Sequence, residues 1–463
     1  MGLPPPPCAV FLFRRDLRAV DNTAYDVLRL SARREGLRVV PAFVVDPAQA
    51  DPKLNPFHSA RAARFMAESL ASLERALGER LLVVAGPRRG SPGDRQAAAL
   101  DALAALPGVP RIAALGFNAD HTPYARARDA GASAWCARHD VEAVTATGDY
   151  SLVDPTQMEK PYQVFSPFFK RYAPEPTSGI KTPGHRPVAT AAATSTAAEE
   201  RARADVFAGM LGVPGDFDST KSVRGGRNAG LAILARVRAG AFSAARYGVG
   251  REDLGLQAGV GTTGLSAYLK FGCVSVREAY AAAAAGDGAK AGTAEGSKNS
   301  LCREMMFRAF YDQVVYHFPA TLRGQLDAGR TPNASLRPAY DAVRWRTGPA
   351  ADAEAWRRGR TGVPVVDAGM RQLAATGFMH NRARMVVASF LVKDLRVDWR
   401  VGERTRARRV LTDGTRSPAF RRGSSWRTCG PTCAARTRPR TSPTSRGPGE
   451  RFGPSTTSGP TCP

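Results

Sequence analysis

The chain has 463 residues, of which 43% are hydrophobic and 23% charged. This length predicts two or three domains, and the composition is typical of soluble globular proteins. No run of eighteen apolar residues occurs, so a membrane-spanning helix is not expected, and the first residues do not resemble a secretory signal. The first four cysteines, Cys8, Cys136, Cys273 and Cys302, form no CxxC pair. This spacing argues against a zinc site and against a secreted disulfide framework, so a cytoplasmic protein is expected.

The formal net charge is +25, which suggests a polyanionic partner such as nucleic acid. The charge is unevenly placed, because residues 415–463 contribute +8 and the rest of the chain +17. Codon bias is the alternative explanation, since the chain holds 57 Arg but nine Lys. Composition alone does not separate these two explanations.

Residues 1–145 alternate between short β-rich runs and helical patterns. The β-rich runs are Ala9–Phe13, Arg38–Val45, Leu81–Ala85, Arg111–Gly116 and Val141–Thr145. The helical patterns are Thr23–Glu35, Ser59–Leu77, Asp94–Leu106 and Pro123–His139. Strands that alternate with helices predict an α/β domain with a parallel, doubly wound sheet. No GxGxxG motif follows the first strand, so an ordinary dinucleotide site is not expected there.

The composition changes twice after the α/β domain. Residues 146–206 are predicted to be an interdomain linker, because their second half is rich in Pro, Ala, Thr and Ser. Residues 207–414 have mainly helical periodicity, which predicts an all-helical domain. It is clearest in Leu265–Phe271, Glu304–Phe318 and Met379–Leu395. Residues 415–463 lack Leu, Ile, Val, Met, Lys and Asp, so they form either a disordered basic tail or the product of a shifted reading frame.

One predicted helix of the second domain carries polar residues on an apolar background. Asn381, Arg384 and Met385 share one face of the helix that begins near Met379. An Asn and an Arg on such a helix need a polar partner. That partner is either a phosphate-bearing ligand, or no more than a helix cap and a surface ion pair.

Two further segments could bind a ligand. Glu304, Phe307, Arg308 and Tyr311 fall on one helical stripe, where a carboxylate, a ring and a guanidinium can bind a nucleobase. The alternative is an amphipathic helix with an internal Glu304–Arg308 pair. Residues 261–266 are typical of a loop that leads into a helix. Its hydroxyl and N–H groups could hold a phosphate, or could simply cap the helix.

Together, these segments resemble the DNA photolyases and cryptochromes. The resemblance covers about 400 residues in family order. The matching segments are Phe13–Arg18 with Asp21 and Asn22, Lys160–Phe168, Thr262–Gly272, Arg303–Pro319 and, most strongly, Thr361–Glu403.

This resemblance implies an α/β domain with an antenna chromophore, followed by an all-helical C-terminal domain that binds FAD. The antenna chromophore stays open among a folate, a deazaflavin and a second flavin. The implied activity is light-driven electron transfer from reduced FAD to a cyclobutane pyrimidine dimer that is flipped out of DNA. DNA containing pyrimidine dimers is the expected partner, and a monomer without membrane contact is expected.

The resemblance also implies roles for individual residues. Glu304 and Asn381 are expected to be catalytic. The expected cofactor-binding residues are Tyr247, Thr262, Thr263, Gly264, Leu265, Ser266, Arg384 and Asp413. The expected DNA-binding residues are Arg251, Glu304, Phe307, Arg308, Asn381, Arg382 and Met385. Trp345 and Trp399 match the outer and middle members of the family's electron-transfer relay, and no metal is expected.

Departures from the family pattern leave three functions open. Asn381 and Met385 stand where enzymes that repair 6–4 photoproducts have His, so the chain is most similar to class I cyclobutane dimer photolyases. Phe307 replaces the usual stacking Trp, which keeps a cryptochrome-like light receptor open. After Asp413 the family's flavin motif is missing, with Thr415 in place of its second acid. A defective photolyase with impaired FAD binding is therefore the third possibility, with 207–414 an incomplete helical domain.

Overall fold

The computed structural model describes residues 6–173, 196–218, 223–256, 259–286, 301–327, 331–346 and 350–409. The predicted cofactor residue Asp413 and the basic tail from Thr415 lie outside these residues.

The five predicted strands form one parallel sheet. They are β1 (Cys8–Phe13), β2 (Arg38–Val45), β3 (Leu82–Ala85), β4 (Ile112–Asn118) and β5 (Glu142–Ala146), in the spatial order β3-β2-β1-β4-β5. Every residue of the central strand β1 is buried. Ala9, Phe11 and Phe13 belong to one hydrophobic core, and Val10 and Leu12 to the other. This alternation is expected of a strand that helices cover on both faces.

The helices of this domain begin at side-chain caps. They are α1 (Thr23–Arg34), α2 (Pro47–Ala50), α3 (Ala60–Leu77), α4 (Pro92–Ala104) and α5 (Pro123–Arg138). Asn22, Asp46, Ser59, Ser91 and Thr122 each accept a hydrogen bond from a backbone N–H of the following first turn. The four predicted helices are therefore confirmed, with boundaries shifted by at most two residues.

The stretch 146–206 contains more structure than a linker. It includes α6 (Phe165–Tyr172) and most of α7 (Ala197–Met210), which begins at a capping box formed by Thr196 and Glu199. Helix α7 packs along α3 of the α/β domain, and Arg203 pairs with Glu74 at 2.8 Å. The linker prediction was too broad, because it extended the composition of the Pro-rich part to the flanking helices.

The second domain is helical, as predicted. Its helices are α8 (Arg227–Arg238), α9 (Ala244–Gly250), α10 (Ser266–Lys270), α11 (Val276–Gly286), α12 (Leu301–His317), α13 (Ala350–Arg358), α14 (Pro364–Thr376), α15 (Asn381–Ser389) and α16 (Trp399–Ala407). A π-helical turn, Phe390–Asp394, continues α15. Within the described residues, no helix is long and apolar enough to span a membrane.

The two domains are joined by a buried ionic network, which we call the interdomain network. Asp149, after β5, pairs with Arg18 of the α/β domain at 2.7 Å and with Arg277 of α11 at 3.0 Å. Gly272 lies at φ +66°, and a Cβ there would lie 2.3 Å from the carbonyl oxygen of Arg15. The segment around Arg15 and Arg18 therefore positions the end of α10 against the sheet.

Candidate functional site

Three helical segments bring four of the predicted site residues together. Arg251, just after α9, donates from Nη1 to Glu304 Oε1 of α12 at 2.8 Å. The Arg251 guanidinium lies 5.9 Å from the ring centre of Tyr247. Burial and the charge of Glu304 raise the pKa of Tyr247 above its ordinary value, while Arg251 and Arg384 of α15 oppose this shift. Tyr247, Arg251, Glu304 and Arg384 thus form one cluster, which we call the Glu304 cluster.

Glu304 has an environment that favours its neutral form. Burial raises the pKa of the Glu304 carboxyl above its ordinary value, although Arg251, Arg303 and Arg384 each counteract this rise. Its side chain is still 36% exposed. A protonated carboxyl can donate one hydrogen bond while it accepts another. The cluster can therefore present a hydrogen-bond donor to a bound ligand.

The start of α15 borders this cluster. His380 caps the helix by accepting the Arg382 N–H at its Nδ1 atom, at 3.2 Å. Asn381 is exposed and Met385 is 38% exposed. Arg382 forms an ion pair with Glu252, and Glu252 Oε1 also lies 3.5 Å from Arg251 Nε. Glu252 was not predicted from the sequence, where its position directly after Arg251 is the signal that could have indicated it.

The predicted phosphate loop packs against the end of α9. A Cβ on Gly261 would lie 2.6 Å from the carbonyl oxygen of Gly250, so only glycine allows this approach. Gly264 has φ +72°, and the Thr263 hydroxyl accepts the Leu265 N–H at 3.3 Å. Ser266 is exposed and begins the five-residue helix α10. The loop therefore lies beside the segment that carries Tyr247 and Arg251.

These residues fit FAD chemically. The Thr262 hydroxyl oxygen is buried, and it has no hydrogen-bond partner among the residues that the structure describes. Buried hydroxyl groups are normally satisfied by protein, water or ligand. A Thr hydroxyl in a glycine loop, beside Tyr247 and two arginines, is a suitable donor set for the phosphates and hydroxyls of a dinucleotide.

The two predicted relay tryptophans lie together. Trp345 and the buried Trp399 share a small hydrophobic cluster with Val392, which follows α15. Trp356 lies in a different cluster, where its Nε1 donates to the carbonyl oxygen of Val387 at 3.1 Å.

Phe307 has an intramolecular stacking partner. Its ring stacks on Phe165 of α6, with centroids 3.4 Å apart and planes at 10°. The Arg303 guanidinium lies 5.0 Å from the Phe165 ring centre and 5.8 Å from that of Phe307. Phe307, which was predicted to stack on a nucleobase, therefore stacks on α6 in this structure.

The structure contradicts the prediction that Arg308 contacts DNA. Arg308 is 2% exposed, and its Nη2 donates to the carbonyl oxygens of Tyr150 at 3.0 Å and Leu269 at 3.4 Å. Burial lowers its pKa to about 10, even though Asp312 opposes this shift. The stripe prediction failed because α12 is buried on most of its sides. Arg308 holds the two domains together instead.

A second candidate site lies at the carboxyl ends of β1 to β4. The cavity is lined by Arg14, Arg15, Asp46, Arg95, Gln96, Asp120, Tyr124 and Arg128, among others. It lies where the strand order reverses between β1 and β4, the usual ligand position in open α/β sheets. Within the described residues, Arg14 Nη2, Arg15 Nη1 and Gln96 Nε2 are buried without a hydrogen-bond partner. These donors suit a ligand rich in acceptor oxygens.

Two family models match this chain. A family model described as "FAD binding domain of DNA photolyase" matches residues 300–434, and one described as "DNA photolyase" matches residues 9–187. The first match extends beyond residue 414, where the predicted helical domain ends.

Similar proteins cover most of the chain. A deoxyribodipyrimidine photo-lyase of Synechococcus sp. is 32% identical over 415 residues, 85% of this chain and 76% of that protein. One of Streptomyces griseus is 35% identical over 406 residues, 86% of this chain and 77% of that protein. An archaeal photolyase from Sulfolobus tokodaii, solved with two FAD molecules, is 28% identical with a TM-score of 0.65 and covers 92% and 83% of the two chains. This chain belongs to the DNA photolyase family.

Proposed function

We propose that the protein repairs cyclobutane pyrimidine dimers in DNA by a light-driven reaction that uses FAD. The observation that carries this proposal is the Glu304 cluster, in which a carboxyl with a raised pKa lies beside Tyr247, Arg251 and Arg384. The relatives named deoxyribodipyrimidine photo-lyase support the same substrate. The family model for the FAD-binding domain supports the cofactor.

The residues of the flavin site have separable roles. Thr262, Thr263, Gly264, Leu265 and Ser266 form the loop that would hold the phosphates, and Tyr247 borders it. Arg384 supplies a positive charge close to Glu304 and Tyr247, which suits an anionic cofactor. When bound, FAD supplies the one-electron photochemistry, and the protein supplies position and electrostatics.

The substrate side is formed by Glu304 and the start of α15. In its protonated form, Glu304 donates a hydrogen bond to a carbonyl oxygen of the flipped dimer, and Arg251 orients it. Asn381, Arg382 and Met385 lie at the exposed rim, where they meet the DNA that flanks the flipped nucleotides. Phe307 supports the site from α12, and Arg308 has no part in DNA binding.

A second chromophore in the α/β cavity is part of the proposal. Arg14 Nη2, Arg15 Nη1 and Gln96 Nε2 are buried donors without a hydrogen-bond partner in the part of the chain that the structure describes, and they favour a ligand with several acceptor oxygens. Denaturing the purified protein and identifying the released chromophores tests this. A Gln96→Leu variant is expected to lose the second chromophore and to keep the flavin, since Gln96 lies in the α/β domain.

The decisive experiment measures flavin content and repair together. The full chain is purified, its visible spectrum recorded, and dimer-containing DNA assayed in blue light and in darkness. Repair in light alone supports the proposal. Bound flavin without repair would instead favour a light receptor of the cryptochrome kind, and no bound flavin would favour a defective photolyase. We expect the active protein to be a cytoplasmic monomer. Light scattering during purification measures the oligomeric state.

A further inference from the structure

We propose that Glu252 competes with DNA phosphates for Arg251 and Arg382, and thereby limits how tightly the protein holds DNA. The inference rests on the proposed function, because it takes these two arginines as DNA contacts. The resemblance to the family implied no role for Glu252. Glu252 would thus tune substrate affinity without contacting the lesion.

One carboxylate bridges two cations from distant parts of the chain. Glu252 Oε2 accepts from Arg382 Nε on the first turn of α15. Glu252 Oε1 lies 3.5 Å from Arg251 Nε, and Arg251 in turn donates to Glu304 at 2.8 Å. The result is a continuous series of contacts, Glu304–Arg251–Glu252–Arg382, that joins the Glu304 cluster to the start of α15.

A carboxylate and a phosphate use a guanidinium in the same way. Both offer anionic oxygens to its N–H donors, and Arg binds either group in forked geometry. An Nε–H that donates to Glu252 cannot at the same time make a full bond to a phosphate oxygen. Arg382 and Glu252 are 42% and 43% exposed, so DNA can reach the pair and exchange with it.

The exchange leaves a negative charge beside the DNA. When a phosphate takes Arg382 or Arg251, the Glu252 carboxylate loses a partner and lies close to the incoming anion. The hydrogen bond from Arg382 lowers the pKa of Glu252, so the carboxylate is ionised near neutral pH. Because phosphate contacts carry no sequence information, the effect applies to damaged and undamaged DNA alike.

The test is Glu252→Gln, which removes the charge and keeps the shape. Kd is measured for two duplexes, one with a single thymine dimer and one without, over a series of salt concentrations. We expect both duplexes to bind about fivefold more tightly at low salt, which is the effect of one unit charge about 4 Å from a phosphate in the water-like surroundings of this exposed pair. The slope of log Kd against log salt should steepen by about one.

Glu354→Gln is the matched control. Glu354 of α13 also holds two arginines, Arg357 at 3.1 Å and Arg358 at 2.7 Å, and it is 41% exposed. Its substitution changes the net charge by the same amount, but it affects ion pairs within α13 and not those of the Glu304 cluster. Binding like that of the unmodified protein is expected for Glu354→Gln. An equal gain in both variants would overturn the proposal, since a general charge effect would explain it.

A double-mutant cycle tests the competition itself. Arg382→Gln should lower DNA affinity less in the unmodified protein, where Glu252 occupies the arginine, than in the Glu252→Gln background. Equal losses in the two backgrounds, or unchanged affinity in Glu252→Gln, would refute the competition. The proposed function fails separately, through absent repair in light, because the binding assay is run in darkness and its undamaged duplex reports the competition without any repair.

Discussion

Arg308 follows Glu304 by one helical turn on α12, yet the two side chains bind different parts of the molecule. Glu304 accepts a hydrogen bond from Arg251 in the helical domain, whereas Arg308 donates to the carbonyl oxygen of Tyr150 after the last strand of the sheet. The helix therefore links the candidate site directly to the domain interface. This arrangement separates the arginines that can reach DNA from the one that cannot.

Salt titration of DNA binding distinguishes these arginines. In Arg308→Lys, which retains the buried charge, the slope of log Kd against log salt should stay unchanged. In Arg382→Gln, which removes an exposed cation, the slope should flatten by about one, as expected for one lost phosphate contact. A flattened slope in Arg308→Lys, with the fold intact by circular dichroism, would contradict the buried position of Arg308.

The interdomain network predicts a stability change at low pH. Burial disfavours ionisation of Asp149, but Arg18 and Arg277 outweigh it and lower its pKa to about 2. Because the folded pKa lies below the unfolded value of about 3.9, this group stabilises the fold fully above about pH 5. About 2 kcal/mol should be lost as the pH falls from about 5 to about 2.

Asp149→Asn tests this network. The variant removes the carboxylate that pairs with the buried Arg18 and leaves Arg277 with Asp21 as its remaining acidic partner. We therefore expect a loss of about 3 kcal/mol in the free energy of unfolding at pH 7. Urea unfolding at several pH values measures this loss, and the variant should lack the Asp149 contribution to the fall between about pH 5 and about pH 2. Identical pH profiles for both proteins would rule out Asp149 as the source of the loss of stability at low pH.

The rate of repair should depend on pH through the protonation of Glu304, in a defined direction. A raised pKa keeps the carboxyl protonated, and thus a donor, above the ordinary range near 4.3. Repair rates under saturating light are therefore expected to fall as the pH rises through this raised pKa. The amide of Glu304→Gln donates at every pH, so its rate should lack this fall. If both proteins show the same fall, another group controls it.

The clustered tryptophans predict a defect in flavin photoreduction. Trp399→Phe removes the indole packed with Trp345, so light-driven reduction of bound FAD should slow. Repair by protein that has been chemically reduced beforehand should persist, because this step does not need the relay. Trp356→Phe is the control, since Trp356 is buried in a separate cluster. Equal slowing in both variants would indicate a general structural effect.

Much of the fold follows from local sequence patterns. The five strands were predicted because their apolar runs alternate with helical patterns, and the caps at Asn22, Ser59, Ser91 and Thr122 mark where four of the helices begin. The extent of the linker was wrong, because α7 gains its stability from packing on α3 and from ion pairs such as Arg203–Glu74. Composition does not record such a tertiary contact.

The site was predicted less completely, for a related reason. Helical spacing places Glu304 and Arg308 on one stripe, but it does not state which neighbours surround each turn. Arg308 is buried by Tyr150 and Leu269, which lie far from it in sequence. Glu252 could not be identified because its partner Arg382 is 130 residues away.

The interdomain network and the α3–α7 packing have a consequence for the covalent chain itself. Contacts between residues before Ala173 and residues after Thr196 are extensive, including Asp149–Arg277 and Glu74–Arg203. The peptide backbone between these two points is therefore not needed as a tether. A protease that cuts only there should yield two fragments that elute together and keep one cooperative unfolding transition.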